Sequence, residues 1–219
     1  MLRINSINGN ALDDGISGDH FAHTVIREYK DRHPNEDISD DMLAAVIIDK
    51  WIEENNPNLS LCLDRLNITE FPRIPDTVLH LKCIRMGLKS LPTLPPTLKS
   101  LRCYSNLFKT LPQLPDSLTS LYCQDNEISI LSELPPNLEI LNCSECPLTV
   151  LELPQQLKVL ICEACGIKTL PDLPDSLQTL NCGFNDLNKL PNLPPNLTKL
   201  YAPNCDNIIY QKHDNIFQT

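Results

Sequence analysis

LKSLRCYSNLFKTLPQLPDS, residues 98–117, decides the fold. Its Leu98, Leu101, Cys103, Asn106, Phe108, Leu111, Leu114 and Pro115 return twenty residues later as Leu118, Leu121, Cys123, Asn126, Ile128, Leu131, Leu134 and Pro135. The shared pattern is L-x-x-L-x-C-x-x-N-x-L-x-x-L-P-x-L-P-x-x. A fixed period near twenty is the mark of a leucine-rich-repeat solenoid, in which each copy buries its leucines only against its neighbours.

Outward from that copy the repeat covers 58–208, about 7.5 copies. The fifth copy, 138–156, is one residue short. The stretch x-L-x-C-x alternates, so it predicts a short strand with Leu and Cys inward, stacked in parallel on its neighbours. The L-P-x-L-P stretch is barred from an α-helix, because proline lacks a donor and restricts the residue before it. It predicts an extended, polyproline-like convex side. Ahead of the repeats, Phe21, Val25 and Tyr29 fall four apart, and Leu43, Ile47 and Trp51 do the same. These rows predict two amphipathic helices over 19–57, closing the apolar end of the first copy. Residues 1–18 lack periodicity and are expected to be flexible, and 209–219 form a polar tail. The expected architecture is an α+β repeat with a concave parallel sheet, an extended convex side and a helical hairpin cap.

The formal charge is -10. Residues 1–57 hold 12 acidic and 5 basic groups, and 58–208 hold 15 and 12, so the excess acid sits in the cap. Nucleic-acid footprints are basic, so no nucleic-acid partner is expected. The longest apolar run, Met42–Ile48, is far short of the roughly 20 residues a bilayer span needs. Residues 1–15 lack the apolar core of a signal peptide.

Cys143, Cys146, Cys162 and Cys165 read C-x2-C-x15-C-x2-C, a zinc-site spacing. The repeat offers another explanation. Cys143 and Cys162 stand in the strand slot that also holds Cys83, Cys103, Cys123 and Cys182. Cys146 and Cys165 stand where Asn106, Asn126 and Asn185 do, a slot that faces the bend of the backbone. Buried, these thiols act as small apolar groups and weak donors. No metal site is assigned to them; a zinc or redox module, or disulfides between neighbouring strands, is the alternative. Cys62 falls on the outward side of the first strand and is the expected accessible thiol, and Cys205 takes the Asn slot of the last copy. His20 and His23 beside Asp19 have metal-pair spacing but read as a solvated helix face. Glu36-Asp37 and Asp40-Asp41 are read as favouring a helix start. No Ser/His/Asp order, phosphate-cradling glycine loop or paired catalytic carboxylate is visible. Neither catalysis nor a cofactor is expected.

The candidate site is the concave face, formed by residues flanking the inward Leu and Cys. Its first part is basic and aromatic: His80, Lys82, Ile84, Arg85, Arg102, Tyr104, Tyr122 and Gln124. Further along stand Ile140, Asn142, Ile161, Glu163 and Tyr201. Arg and Tyr are favoured in protein hot spots, and an apolar stripe on an exposed sheet marks a contact.

Leu91-Pro92-Thr93-Leu94-Pro95-Pro96-Thr97-Leu98 and Leu170-Pro171-Asp172-Leu173-Pro174-Asp175-Ser176-Leu177 resemble the bacterial effector leucine-rich repeats of the YopM and IpaH type. The resemblance implies a non-enzymatic module that binds a host protein. It also implies secretion from a bacterium by a specialised system, then the host cytoplasm or nucleus. IpaH-like members carry a ubiquitin-ligase domain. The sequence runs only about ten residues past its last copy and offers no matching cysteine, so that domain is not expected; a substrate-recognition part of such a ligase is the alternative.

Overall fold

The computed structural model describes residues 18–203. The expected flexible segment (all but Gly18), Cys205 and the tail lie outside them. Two helices come first, α1 (Gly18–Arg32) and α2 (Asp40–Glu54). Ser39 caps α2, its side chain accepting from the Met42 amide at 3.2 Å. Asn55 ends it in the left-handed conformation, with φ 47°. α2 presents Leu43, Ala44, Ile47, Ile48 and Trp51 to the core.

Strands of two or three residues follow: β1 (Leu61–Cys62), β2 (His80–Lys82), β3 (Ser100–Arg102), β4 (Ser120–Tyr122), β5 (Ile130–Leu131), β6 (Ile140–Asn142), β7 (Val150–Leu151), β8 (Val159–Ile161), β9 (Thr179–Asn181) and β10 (Lys199–Tyr201). Eight of them form one parallel sheet in the order β1-β2-β3-β4-β6-β8-β9-β10. Pairing advances twenty residues per rung, as in Leu101 with Leu121. Between β6 and β8 it advances nineteen, Leu141 with Leu160, where the short copy lies. At ~4.8 Å per rung the sheet is about 34 Å long.

The inward residues make a continuous dry spine. Leu81, Leu101, Leu121, Leu141, Leu160 and Leu180 are buried, and so are Cys83, Cys103, Cys123, Cys143, Cys162 and Cys182. Phe108 and Ile128 fill the turn beyond the bend.

The convex side is extended, as its prolines require, with one addition. β5 and β7 pair there as a second, two-stranded sheet. In these two copies Leu131 and Leu151 precede Ser132 and Glu152, whereas Leu91, Leu111, Leu170 and Leu190 precede proline. The Glu152 amide donates to the Leu131 carbonyl at 2.8 Å, a bond that proline cannot make. Local loss of the proline turns an extended turn into a strand pair.

The helices are bound to the first copy by specific bonds as well as apolar contact. The buried Trp51 indole N–H donates to the Leu59 carbonyl at 2.9 Å. Asp40 accepts from the Asn67 amide at 2.7 Å, and Asp41 from the amide and hydroxyl of Thr69 at 2.8 and 3.0 Å. The two carboxylates therefore clamp the cap to the repeat as well as suiting a helix start. Replacing Trp51 by Phe keeps the bulk and orphans a buried carbonyl, a loss of about 1–3 kcal/mol. Denaturant unfolding of Trp51→Phe is expected to show that loss; an unchanged midpoint would mean that the indole bond does not hold the cap.

Candidate functional site

Each rung of the sheet turns three side chains toward the concave side, because strand side chains alternate. The middle row is Cys62, Lys82, Arg102, Tyr122, Asn142, Ile161, Asn181 and Tyr201, aligned by the strand register. The rows beside it include His80 and Ile140, and Ile84, Tyr104, Gln124 and Glu163. Every candidate strand residue thus lies where the repeat predicts.

The exposure differs from expectation. Side chains on neighbouring rungs stand close enough to cover one another, and most of the middle row is packed. Tyr122 is 4% exposed and Arg102 8%, with the guanidinium 4.8 Å over the Tyr122 ring, a cation–π contact. Lys82, Ile84, Asn142 and Ile161 are also buried. His80, Tyr104, Gln124, Ile140, Glu163 and Tyr201 are half-buried, and Arg85 is exposed. These seven form the open part of the candidate face. The packed row is held by its own polar bonds. The Asn142 side chain accepts from the Ser144 amide at 3.2 Å, and Asn181 from Gly183 at 3.2 Å.

Cys62 corrects the sequence reading. It is on the outward side of β1 as expected, but α1 lies over it and leaves it 4% exposed. The packing there is tight: a β-carbon on Gly18 would sit 2.1 Å from the Ser60 carbonyl oxygen. Burial, then the nearby Asp64 carboxylate, pushes the Cys62 thiol well above its ordinary range. Both the burial and the raised thiol disfavour the thiolate that a reactive cysteine needs.

α1 is therefore a wall of the site as well as a cap. With the first three rungs it encloses a cleft of about 390 Å³, lined among others by His23, Arg65, Lys82, Arg85, Arg102 and Tyr104. Inside it the Lys82 ammonium lies 3.3 Å from the Asp19 carboxylate. Burial pushes the Asp19 carboxyl up, but the Cys62 thiol bond and the Lys82 charge outweigh it, and the net shift is downward. Asp64 moves the other way. Burial raises it, although its carboxylate accepts from the Ile84 amide at 2.7 Å. Ligand atoms of Asp19, Cys62 and Asp64 lie within 4.8 Å of one another. The Lys82 ammonium supplies the positive charge beside these carboxylates. Nothing in the sequence ties Asp19 to Lys82, 63 residues away, so this cleft was not legible there.

The four thiols with zinc spacing are each engaged in the coil. Cys143 donates to the Ile161 carbonyl at 3.6 Å and Cys162 to that of Asn181 at 3.6 Å. Cys146 donates to Cys123 at 3.3 Å and Cys165 to Cys143 at 3.2 Å. The Asn-slot reading holds: Asn126 makes the bond to the Cys103 carbonyl that Cys146 makes one rung later to Cys123. All nine described cysteines are free thiols and buried.

This architecture is a leucine-rich-repeat solenoid with an N-terminal helical cap. No family model matches the chain, and no curated protein does. Solved structures do match. YopM from Yersinia enterocolitica WA-314 is 31% identical, with a TM-score of 0.69, over 84% of this chain and 41% of that one. YopM from Yersinia pestis, described as a leucine-rich effector protein, is 28% identical with a TM-score of 0.50, over 84% of this chain and 53% of that one. The functional domain of InlJ from Listeria monocytogenes, described as including a cysteine ladder, is 27% identical with a TM-score of 0.56, over 71% of this chain and 36% of that one. The chain spans about half the length of these proteins or less. Its likeness is to bacterial leucine-rich-repeat proteins, the YopM type of effector among them, and it supports a protein-interaction module. No described helix is long and apolar enough to cross a membrane.

The raised Asp64 carboxyl has a checkable consequence. A folded value above the unfolded one means that its contribution is fully present below about pH 4 and is lost as pH rises through the folded value. Asp64→Asn keeps the acceptor for Ile84 without the buried charge. Its melting temperature is expected to exceed wild type at pH 7, with the gain closing toward pH 4. A loss at pH 7 that shrinks on acidification would show instead that the ionised carboxylate, beside Lys82, is net stabilising.

Proposed function

We propose that this chain is a non-enzymatic binding module that works as a bacterial effector inside host cells and holds a host protein on its concave face. The observation that carries the reading is the contrast between the two sides of each strand. Inward, every described rung repeats leucine and nearly every one cysteine; outward, the chemistry changes at each rung, from His80 and Lys82 to Tyr104, Gln124, Ile140 and Glu163. A uniform interior needs no such variety outside, and a recognition surface does. The likeness to YopM supports delivery from a bacterium and action in the host cytoplasm or nucleus. The thiols of the zinc-like spacing donate to backbone carbonyls of the coil, which favours the binding reading over a metal or redox module.

Two substitution sets separate the faces. Tyr104→Glu with Gln124→Lys alters the open concave positions without touching the packed Arg102–Tyr122 pair. Lys109→Glu with Glu133→Lys alters exposed positions beyond the bends. In capture from host cytosol with mass-spectrometric identification, the concave set is expected to lose the partner at least tenfold and the second set to retain it. Equal retention by both would remove the concave face from the account.

A further inference from the structure

One row at the rim of the concave face is used by neither the spine nor the packed middle row. In each described copy up to the seventh the residue after the last outward strand position turns into the left-handed region; the first five are Arg65 (φ 63°), Arg85 (φ 56°), Ser105 (φ 55°), Asp125 (φ 54°) and Glu145 (φ 55°), and the uncharged Ala164 and Phe184 (both φ 54°) continue the row. Glycine takes this conformation without steric cost, and other residues take it at a cost. Here the chain places full side chains in it, and all but Ser105 of these five are charged and exposed. The row is evenly spaced, because each bend amide donates into the next rung: Arg65 to Ile84, Arg85 to Tyr104, Ser105 to Gln124, Asp125 to Ser144 and Glu145 to Glu163, at 2.8–3.2 Å.

The charges are sorted along that row. Arg65 and Arg85 are neighbours one rung apart, and both line the cleft under α1. Asp125 and Glu145 are neighbours two rungs further on. The half-buried Glu163 joins the acidic end, its carboxyl raised by burial and by Glu145 against the bond from Asn181. None of Arg65, Arg85, Asp125 or Glu145 is in an ion pair among the described residues. Like charges one rung apart repel, and an opposite charge brought against either end would relieve that repulsion.

We infer that this bend row is a charge-graded docking strip for an extended peptide segment of the partner, carrying an acidic side chain for Arg65 and Arg85 and a basic one for Asp125 and Glu145. The inference rests on the concave-face reading above and names the chemistry of what binds there. The centres lie two to four rungs apart, about 10–19 Å, which an extended chain at ~3.3 Å per residue spans in roughly three to six residues. The row is one side chain wide, which suits a strand-like segment. Both signs on one strip disfavour a polyanion, since Asp125 and Glu145 would repel it. Tyr104 and Gln124 lie alongside for the uncharged residues of the segment.

The probe is a phage-displayed library of random dodecapeptides, panned on the full chain, on Arg65→Glu with Arg85→Glu, and on Asp125→Lys with Glu145→Lys. The wild type is expected to enrich peptides with Asp or Glu separated from Lys or Arg by three to six residues. The first variant is expected to lose the acidic requirement and the second the basic one. A synthetic peptide of the enriched sequence is expected to bind each variant at least tenfold more weakly, with the wild-type affinity falling as salt rises. Arg85→Gln and Glu145→Gln, milder changes at exposed positions, repeat the comparison if a reversal disturbs the circular dichroism spectrum. No enrichment, enriched peptides without the charge pair, or the same peptides on all three proteins would overturn the strip. Host-protein capture that survives both reversals but fails with Tyr104→Glu and Gln124→Lys would overturn the strip alone and leave the concave-face reading standing.

Discussion

A single side-chain amide holds two turns of this coil together. The Asn106 oxygen accepts from the amides of Met86 and Leu88 in the turn before, both at 3.1 Å. Its nitrogen donates to the carbonyls of Cys83 and Cys103 at 2.8 and 3.0 Å. These are buried backbone groups at a sharp bend, where water cannot serve them and an unmade bond costs more than a made one yields. Asn185 repeats the arrangement, and Asn126 repeats it with one accepted amide, that of Phe108. Cys146 and Cys165 stand in for it with a thiol that donates to the same class of carbonyl. With the bend fixed, the strand before it has one register, and register decides which residues are spine and which are surface.

The concave face inherits its order from that constraint. Because every rung is locked to the next, residues twenty apart in sequence become neighbours in rows. Lys82, Arg102 and Tyr122 pack side by side for this reason, and the left-handed bend residues form a line of sorted charge. The cap adds what the repeats lack at their start. α1 and α2 cover the first leucines, and α1 also overhangs the face, so that Asp19 reaches Lys82 and Cys62 is shut away. Capping and site-building are one arrangement at this end of the molecule.

Much of this was legible in the sequence, for a physical reason. A solenoid writes its contacts at a constant separation, so Leu101 against Leu121 needs no long-range inference. The nineteen-residue copy appeared at its place as a changed register. The thiols of the zinc-like spacing read correctly as slot residues, because each has an Asn or Cys counterpart one period away. What failed to show lay outside the period. The contact of α1 with the concave side joins two segments that share no repeat, so Cys62 looked open. The packing of Arg102 on Tyr122 depends on how closely rungs approach, which spacing alone does not state. The small convex sheet of β5 and β7 was in plain sight as two missing prolines, a signal that matters only once their amides have a carbonyl to meet.

One dry spine of leucine and cysteine, closed from the third copy onward by an Asn or Cys at each described bend, runs the length of the coil. Residue-resolved alkylation through a denaturant series tests it most directly, with each thiol followed by mass spectrometry. Cys83, Cys103, Cys123, Cys143, Cys146, Cys162, Cys165 and Cys182 are expected to be blocked in the folded protein and to become reactive together at the unfolding transition. Rapid native labelling of Cys146 or Cys165, or protection of Cys143, Cys146, Cys162 and Cys165 that a chelator abolishes, would contradict it.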